Sequence, residues 1–383
     1  MRLRPRFSLR TLMIAVLLIG SAMTLCFHWE PWVPGLVIPN VVTNASFSPD
    51  GRRVLVASVE GAVRVHDAFN GKILVTVARH GYEFEPFAFT PDGRAFLAMR
   101  LDSRPTKEWQ ADDSGKREYV IDYHPSTRVF DAATGSELRT LPLIGLCARP
   151  AFSPDGKRLV VMGAKASCQV IDFYSGIALV ALKDAVSREG GVFCPRYSPD
   201  SKRIAVANGR DNVLRIYDAE SGELLLVPKV NYPTFVDFSP DGGRIVTRES
   251  GGVVRVWNSF TGAEICEMKE SGDSFEGVQF SPDGTRVLAH AAGGYAIFDA
   301  QNGHCLVTLQ RHGERRLLSS TLFSTTWSPD GNRILISGNG DVVIWEHRRP
   351  EQWWGILCLP EFWLTTALAS LLPWSLWRDR RAV

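Results

Sequence analysis

Residues that could carry catalysis are scattered along this sequence. It contains no phosphate-binding glycine loop, no Gly-x-Ser-x-Gly elbow and no His-Glu-x-x-His pair. The eight histidines form no pair at metal-ligand spacing. A tightly held central metal would need several converging carboxylates. The acids that precede the repeated turns described below, Glu85, Asp237 and Glu276, are not aligned with one another. We therefore expect no catalytic residue, no cofactor and no metal site.

Six arginines share one position, four residues after the proline of a repeated turn, and Ala95 takes the seventh copy of that position. They are Arg53, Arg158, Arg203, Arg244, Arg286 and Arg333. Such arginines could form a basic ring for an anionic ligand. Because each turn also carries an aspartate, we expect local Asp–Arg pairs on a solvated face instead.

Two further kinds of reactive side chain are expected to be structural. His66 stands where the other copies of its strand have Phe, Ile, Tyr or Trp, so it should pack in the core. The cysteines of the central region are odd in number and show no repeated spacing, so we expect buried free thiols. They are Cys147, Cys168, Cys194, Cys266 and Cys305.

One insertion collects aromatic and charged residues and is the candidate interaction site. It covers about 22 residues between positions 102 and 124, and long loops of this kind are often functional. A mobile insertion without a function is the alternative. The candidate contact residues are Trp109, Asp112, Asp113, Lys116, Arg117 and Tyr123.

A repeated pentapeptide shows what must position these residues. Phe47-Ser-Pro-Asp-Gly51 and its close variants form seven copies, whose prolines stand at positions 49, 91, 154, 199, 240, 282 and 329. Three copies differ from the first: Phe89-Thr-Pro-Asp-Gly93, Tyr197-Ser-Pro-Asp-Ser201 and Trp327-Ser-Pro-Asp-Gly331. Proline fixes φ at the second turn position and Asp-Gly completes the turn, so each copy predicts a β-turn between two strands. A strand with alternating polarity then ends in an acid or Asn, as in Val63-Arg-Val-His-Asp67. In six copies a Gly follows four residues later, which predicts a hairpin to a fourth strand.

Seven four-stranded units that stack radially make a β-propeller, which buries sheet faces that no single unit covers alone. These motifs resemble the WD40-repeat family over roughly residues 33–350, with Trp257-Asn258 and Trp345-Glu346 nearest to the name-giving dipeptide. The resemblance implies an all-β, seven-bladed propeller that binds protein partners. Because the seventh copy supplies three strands, we expect residues 33–40 to provide its fourth strand and close the ring.

Both ends of the chain indicate contact with a membrane. Residues 1–29 hold four early arginines and a 17-residue uncharged run from Thr11 to Phe27, which predicts an anchor with a cytoplasmic N-terminus. A cleaved signal peptide is the alternative. Residues 353–377 carry one charge, Glu361, and predict a transmembrane or interfacial helix before the basic tail 378–383. Two crossings would place the propeller outside the cytoplasm and both termini inside.

Composition narrows the function further. The chain of 383 residues is 45% hydrophobic and has 43 basic against 41 acidic residues, a net charge of +2. This excludes a disordered protein and gives no support to nucleic-acid binding. We expect a non-catalytic, membrane-anchored scaffold that contacts proteins and the lipid bilayer at the cell membrane. The alternatives are a propeller hydrolase or lactonase with a central metal, and a secreted, TolB-like periplasmic propeller.

Overall fold

The chain folds into seven four-stranded antiparallel sheets and one separate hairpin. The computed structural model describes residues 32–77, 82–102, 106–111, 117–122, 126–141, 150–162, 167–186, 193–208, 212–268, 277–291, 294–309, 324–338 and 340–347. Within these ranges the regular structure is almost entirely β-strand, with one short 3-10 turn at Ser250–Gly252. The predicted all-β, seven-bladed propeller is confirmed.

The blades follow one another along the chain, each from an inner to an outer strand. Blade 1 contains β2 (Val41–Phe47), β3 (Arg53–Ser58), β4 (Val63–Asp67) and β5 (Ile73–Val77). Blade 2 contains β6 (Tyr82–Phe89), β7 (Ala95–Asp102), β10 (Ser126–Asp131) and β11 (Glu137–Leu141), and β8 (Thr106–Ala111) and β9 (Arg117–Asp122) form the separate hairpin. Blade 3 contains β12 (Ala151–Phe152), β13 (Arg158–Met162), β14 (Ser167–Asp172) and β15 (Ala178–Val186).

The remaining four blades repeat this order, and the last one differs at its outer edge. Blade 4 contains β16 (Phe193–Tyr197), β17 (Arg203–Asn208), β18 (Val213–Asp218) and β19 (Leu224–Leu226). Blade 5 contains β20 (Phe235–Phe238), β21 (Arg244–Arg248), β22 (Val254–Asn258) and β23 (Glu264–Met268). Blade 6 contains β24 (Val278–Phe280), β25 (Arg286–Ala291), β26 (Gly294–Asp299) and β27 (Cys305–Leu309). Blade 7 contains β28 (Ser324–Trp327), β29 (Arg333–Gly338), β30 (Asp341–His347) and β1 (Trp32–Pro39).

The hydrophobic core lies between blades, because each sheet buries both faces against its neighbours. Between blades 1 and 2, for example, Val65 and Leu55 pack with Phe96 and Phe130. The inner strands of neighbouring blades also contact one another, so they line the centre of the ring. Antiparallel pairing then puts the turns after the first and third strands on one face, called here the turn face.

The first strand in the chain completes the last blade. Strand β1 lies beside β30 at the outer edge of blade 7. Ile38 of β1 joins a buried cluster with Val342 and Ile344 of β30. The backbone N–H of Val41 donates to the carbonyl of Gly340 at 2.8 Å and links blade 1 to blade 7. The predicted closing strand is therefore confirmed.

Residues 34–345 form one compact unit, and residues 1–33 and 346–383 group separately. Of the second group the structure describes residues 32, 33, 346 and 347, where the Trp32 and His347 rings meet edge to face at 5.1 Å. The predicted membrane segments within 1–29 and 353–377, and the basic tail 378–383, lie outside the described residues. Among the residues that are described, none belongs to a helix long and apolar enough to span a bilayer.

Candidate functional site

The predicted interaction residues belong to the hairpin between the second and third strands of blade 2. The backbones of Trp109 and Tyr119 pair across β8 and β9, and Arg117 pairs with Ala111 at the hairpin end. Strand β7 pairs directly with β10, so the hairpin is an addition to an intact blade. It emerges on the face opposite the turn face. The other predicted contact residues, Asp112, Asp113, Lys116 and Tyr123, lie outside the described residues.

Each repeated turn is held by an aspartate and by a serine, or by Thr90 in blade 2, as blade 5 illustrates. The hydroxyl of Ser239 donates to Asp241 Oδ1 at 2.5 Å and accepts the backbone N–H of Arg244 at 2.9 Å. The hydrogen bonds from Ser239 and from the N–H of Gly243 keep the pKa of Asp241 below its ordinary value. Gly242 takes φ +68°, a conformation that side chains disfavour.

The arginine after the turn reaches into the next blade in five blades, which corrects the expected solvated face. The expected local pairing is present as a long contact of 4.0 Å between Arg53 and Asp50. Arg203 of blade 4 donates to the carbonyls of Gly242 at 2.8 Å and Ser259 at 3.1 Å, both in blade 5, and is 8% exposed. The turn aspartates are already engaged by serine and backbone N–H groups, so the guanidinium bonds carbonyls instead. Equivalent contacts, called here arginine clasps, are made by Arg53, Arg158, Arg244 and Arg333.

Aromatic rings of the receiving blade complete these clasps. The Arg203 guanidinium lies 5.5 Å from the ring centroid of Phe238 and 4.1 Å from that of Phe260. Arg333 of blade 7 lies in the same way 5.3 Å from Phe47 and 4.4 Å from Phe69 in blade 1. Four of the five guanidinia, those of Arg53, Arg203, Arg244 and Arg333, therefore combine cation–π contact with hydrogen bonds to carbonyls.

Blades 2 and 3 meet without such a clasp, because Ala95 replaces the arginine. A cavity of about 280 Å³ opens beside Ala95 on the turn face. Phe173 of blade 3 stands where blades 1, 2, 4 and 6 have Ala and blade 5 has Ser, and it packs in the cluster that contains Ala95. Arg139, from the outer strand of blade 2, lies 4.2 Å above the Phe173 ring and donates to the carbonyl of Tyr174.

Aspartate and arginine side chains on the inner strands link blades near the centre of the ring. Asp237 accepts the backbone N–H of Phe280 in blade 6 at 3.0 Å and lies 3.9 Å from Arg196 Nε in blade 4. Burial of its carboxyl raises the pKa of Asp237 to about 6, although Arg196 opposes the rise. The side chain of Glu85 and the whole of Glu276 lie outside the described residues. No group of three or more metal-ligating side chains occurs in the part of the chain that the structure describes.

The predictions for His66 and the cysteines have mixed outcomes. His66 is buried, its Nδ1 lies 2.8 Å from the carbonyl oxygen of Gly71, and burial lowers its pKa, so the predicted packing role is confirmed. Cys168 and Cys194 are buried as expected. Cys266 is a half-buried free thiol, and the free thiol of Cys305 is exposed, contrary to the prediction. Cys147 lies outside the described residues.

A polar cluster that the sequence did not predict lies at the end of blade 5 opposite the turn face. Glu249 is buried and accepts hydrogen bonds from Arg255 at 2.5 Å and from the N–H of Asn231 at 3.1 Å. Burial raises the pKa of Glu249 despite the nearby guanidinium. In the same blade the indole N–H of Trp257 donates to Thr247 at 2.8 Å. The Trp257-Asn258 pair in the sequence is the signal that could have drawn attention to this network.

Comparisons with known proteins agree with this architecture. Residues 39–67, 185–218 and 303–346 match the family described as WD domain, G-beta repeat. The chain is similar to Serine-threonine kinase receptor-associated protein from Mus musculus, with 25% identity over 246 residues, 58% of this chain and 67% of that protein. The Homo sapiens protein of that name is 24% identical over the same shares. WD repeat-containing protein 1 from Mus musculus is 24% identical over 243 residues, 55% of this chain and 37% of that protein.

The three matched segments contain the first three strands of blades 1, 4 and 7. These blades share their strand order with the others, and the serine–aspartate turn recurs around the ring. The matched unit is thus the unit that the whole propeller repeats, and by these segments and its fold the chain is similar to the WD40-repeat family.

Proposed function

We propose that this propeller is a non-catalytic protein-interaction scaffold, anchored in the cell membrane by its terminal segments. The family and the names of the relatives support the first part, since one relative is called receptor-associated. The uncharged N-terminal run, the segment 353–377 and the arginines beside them support the second. The proposal places the propeller outside the cytoplasm and both termini inside.

The exposed aromatic residues of the turn face carry the scaffold proposal. Phe69, Tyr174 and Phe260 occupy equivalent turn positions in blades 1, 3 and 5 and are 63%, 67% and 67% exposed. Each lies over an arginine guanidinium, so its ring is held in place although it faces solvent. Rigid exposed aromatic side chains are typical centres of protein–protein interfaces. Trp109 and Tyr123 of the insertion remain the predicted contacts on the opposite face.

Capture of partners by the full-length chain tests the scaffold proposal. Blade 6 has Gln301 at the position of the exposed aromatics, so the variant Phe69→Gln/Tyr174→Gln/Phe260→Gln keeps a natural turn residue. A second variant replaces residues 103–125 with a short turn. We expect cross-linked partners from detergent-solubilised membranes to be lost in one of the two variants. If both variants retain every partner, or if the wild-type chain captures none, the scaffold assignment is wrong.

Protease accessibility tests the proposed membrane arrangement separately. In sealed cells, external protease should cut within residues 102–124, and reporter fusions after residue 383 should give a cytoplasmic signal. Release of the chain by a high-salt wash would contradict anchoring. Protection of residues 102–124 in intact cells would contradict the external position.

A further inference from the structure

The chain enters and leaves the propeller on the turn face. At the opposite face, the hydrogen bond from Val41 to the carbonyl of Gly340 holds the residues after β1 beside the start of β30. The other ends of both strands therefore lie at the turn face. Leu36 near the start of β1 confirms this, since a Cβ on Gly71, a glycine of the turn face, would stand 3.1 Å from Leu36 Cδ1.

Short tethers join these strand ends to the proposed membrane segments. Four residues, 28–31, separate β1 from the uncharged run that ends at Phe27, and five residues, 348–352, separate β30 from the segment 353–377. A fully extended chain spans at most about 3.6 Å per residue, so the tethers reach no further than about 18 Å and 22 Å. The anchoring proposed above would therefore hold the turn face close to the bilayer.

Exposed carboxylates on the turn face oppose its insertion into lipid. The aspartate of the repeated turn is exposed in all seven blades, as Asp50, Asp92, Asp155, Asp200, Asp241, Asp283 and Asp330. Carboxylates lose hydration when they enter a lipid surface, and anionic lipids repel them. We therefore expect protein rather than lipid to contact the three exposed rings of this face.

The space that the tethers allow between the turn face and the bilayer suits one layer of polypeptide. A helix with its side chains is about 10–12 Å across, which is within the reach of both tethers. In blades 1–4 an exposed Arg or Lys follows the turn aspartate, whereas blades 5–7 have Gly243, Thr285 and Asn332 there. The turn carboxylates of blades 5–7 therefore favour basic side chains in a partner.

We propose that the turn face binds the extracytoplasmic juxtamembrane segment of a second membrane protein. That segment would lie between the propeller and the bilayer, with apolar side chains against Phe69, Tyr174 and Phe260 and basic side chains towards blades 5–7. The inference rests on the proposed anchored scaffold and names the kind of partner that its turn-face aromatics contact. The insertion hairpin would then face away from the membrane.

Energy transfer from the full-length chain to the bilayer tests the orientation, in liposomes with acceptor-labelled lipid headgroups. The donor dye is attached through an encoded amino acid at Ala263 on the turn face or at Ser250 on the opposite face, both exposed and both in blade 5. Strands of five to six residues span about 17–20 Å, so we expect transfer from position 263 to be at least about twofold more efficient. Equal transfer, or more efficient transfer from position 250, would overturn the inference.

Photo-cross-linking in native membranes tests the kind of partner. p-Benzoylphenylalanine replaces Phe69, Tyr174 or Phe260, and the control position is Tyr232, an aromatic residue of the opposite face that is 50% exposed. We expect the turn-face positions to cross-link peptides that directly adjoin a transmembrane segment of another protein, and position 232 not to do so. Cross-links to lipid alone, to soluble proteins alone, or none at all would overturn the inference.

The variant Phe69→Gln/Tyr174→Gln/Phe260→Gln links the two measurements. It should lose the cross-linked partner while energy transfer from position 263 stays unchanged, because the tethers still set the orientation. Retention of the partner by this variant would contradict binding through the rings.

The outcomes separate this inference from the proposed function. Release of the chain by a high-salt wash contradicts the anchoring itself. An anchored chain whose turn face lies away from the bilayer leaves the anchoring in place and removes the inference. Cross-links to soluble proteins alone leave the scaffold in place and remove the membrane partner.

Discussion

At the scale of single residues, the arginine clasps account for a sequence position at which we expected local Asp–Arg pairs on a solvated face. We predict that Arg203→Lys lowers the free energy of unfolding by about 1.5–3 kcal/mol, because one ammonium cannot reach both carbonyls and the Ser259 hydroxyl. Denaturant unfolding measures the loss. The control is Lys183→Ala, which removes an exposed ion pair with Glu223 between blades 3 and 4 and should cost less than about 1 kcal/mol. Equal losses in both variants would contradict a structural role for the clasp.

The carboxyl of Asp237 gives a pH-dependent prediction. Its pKa in the folded protein, about 6, lies above the ordinary value of 3.8. The unfolded chain therefore releases this proton at lower pH, and the folded state loses relative stability as pH rises from about 4 to 6. We expect the melting temperature of the wild type, compared with Asp237→Asn at each pH, to fall between pH 4 and pH 7. If the melting temperature of the wild type minus that of Asp237→Asn stays constant, or rises with pH, the pKa of this carboxyl is not raised in the folded protein.

At the scale of elements, the repeated turn depends on a side-chain oxygen at its first position. Removing the hydroxyl with Ser239→Ala leaves the N–H of Arg244 without this acceptor and should cost about 1–3 kcal/mol. Ser239→Thr is the matched control, since Thr90 makes the same bonds in blade 2. Thermal unfolding should show a clear loss for Ala and a much smaller one for Thr. A large loss for Thr would mean that the turn tolerates serine alone.

The insertion hairpin pairs with itself, so blade 2 should not need it. Strand β7 is already bonded to β10 from Arg100–Ser126 onward, and β8 bonds to β9 in a separate sheet. Replacing residues 103–125 with a short turn should therefore change the melting temperature by less than about 4 °C, the shift that about 1 kcal/mol produces in a chain of this size or somewhat smaller. A larger fall, with loss of β-sheet signal by circular dichroism, would show that the hairpin supports the blade.

At the scale of the whole ring, the closing strand carries the largest expected effect. Ile38 of β1 is 2% exposed within the cluster between blades 7 and 1, so Ile38→Ala should cost about 2–5 kcal/mol. Ile73, on the outer strand of blade 1, is 47% exposed and provides the control, with an expected loss below about 1 kcal/mol. Limited proteolysis should also cut Ile38→Ala first near β1. Similar losses in both variants would contradict the importance of closure.

The repeat alone predicted most of the architecture. The seven turns predicted the number of blades and their strand order, because each turn connects two strands by local turn chemistry. They also predicted that a strand from residues 33–40 completes the seventh blade, because its sheet must match the others. Contacts between residues about 40 positions apart could not be predicted in that way. The clasp from Arg203 to Gly242 depends on how one blade docks on the next, which no local pattern encodes.

The junction between blades 2 and 3 is marked by two exceptions in the sequence. Ala95 is the exception among the arginines, and Phe173 is an exception among small residues at its own position. Only the packing of these two residues in one cluster shows that the exceptions belong together. Nothing in the sequence singles out Arg139, because its contact depends on how its guanidinium is placed over the Phe173 ring of the next blade.

The pairing of β1 with β30 also has a consequence for biosynthesis. About 300 residues separate the two strands along the chain. At a translation rate of roughly 5–20 residues per second, about 15–60 s pass between the synthesis of β1 and that of its partner β30. During that time it is an unpaired strand edge, which is prone to aggregation. A nascent chain of this kind should therefore depend on chaperones that hold its first strand apart until translation reaches the last blade.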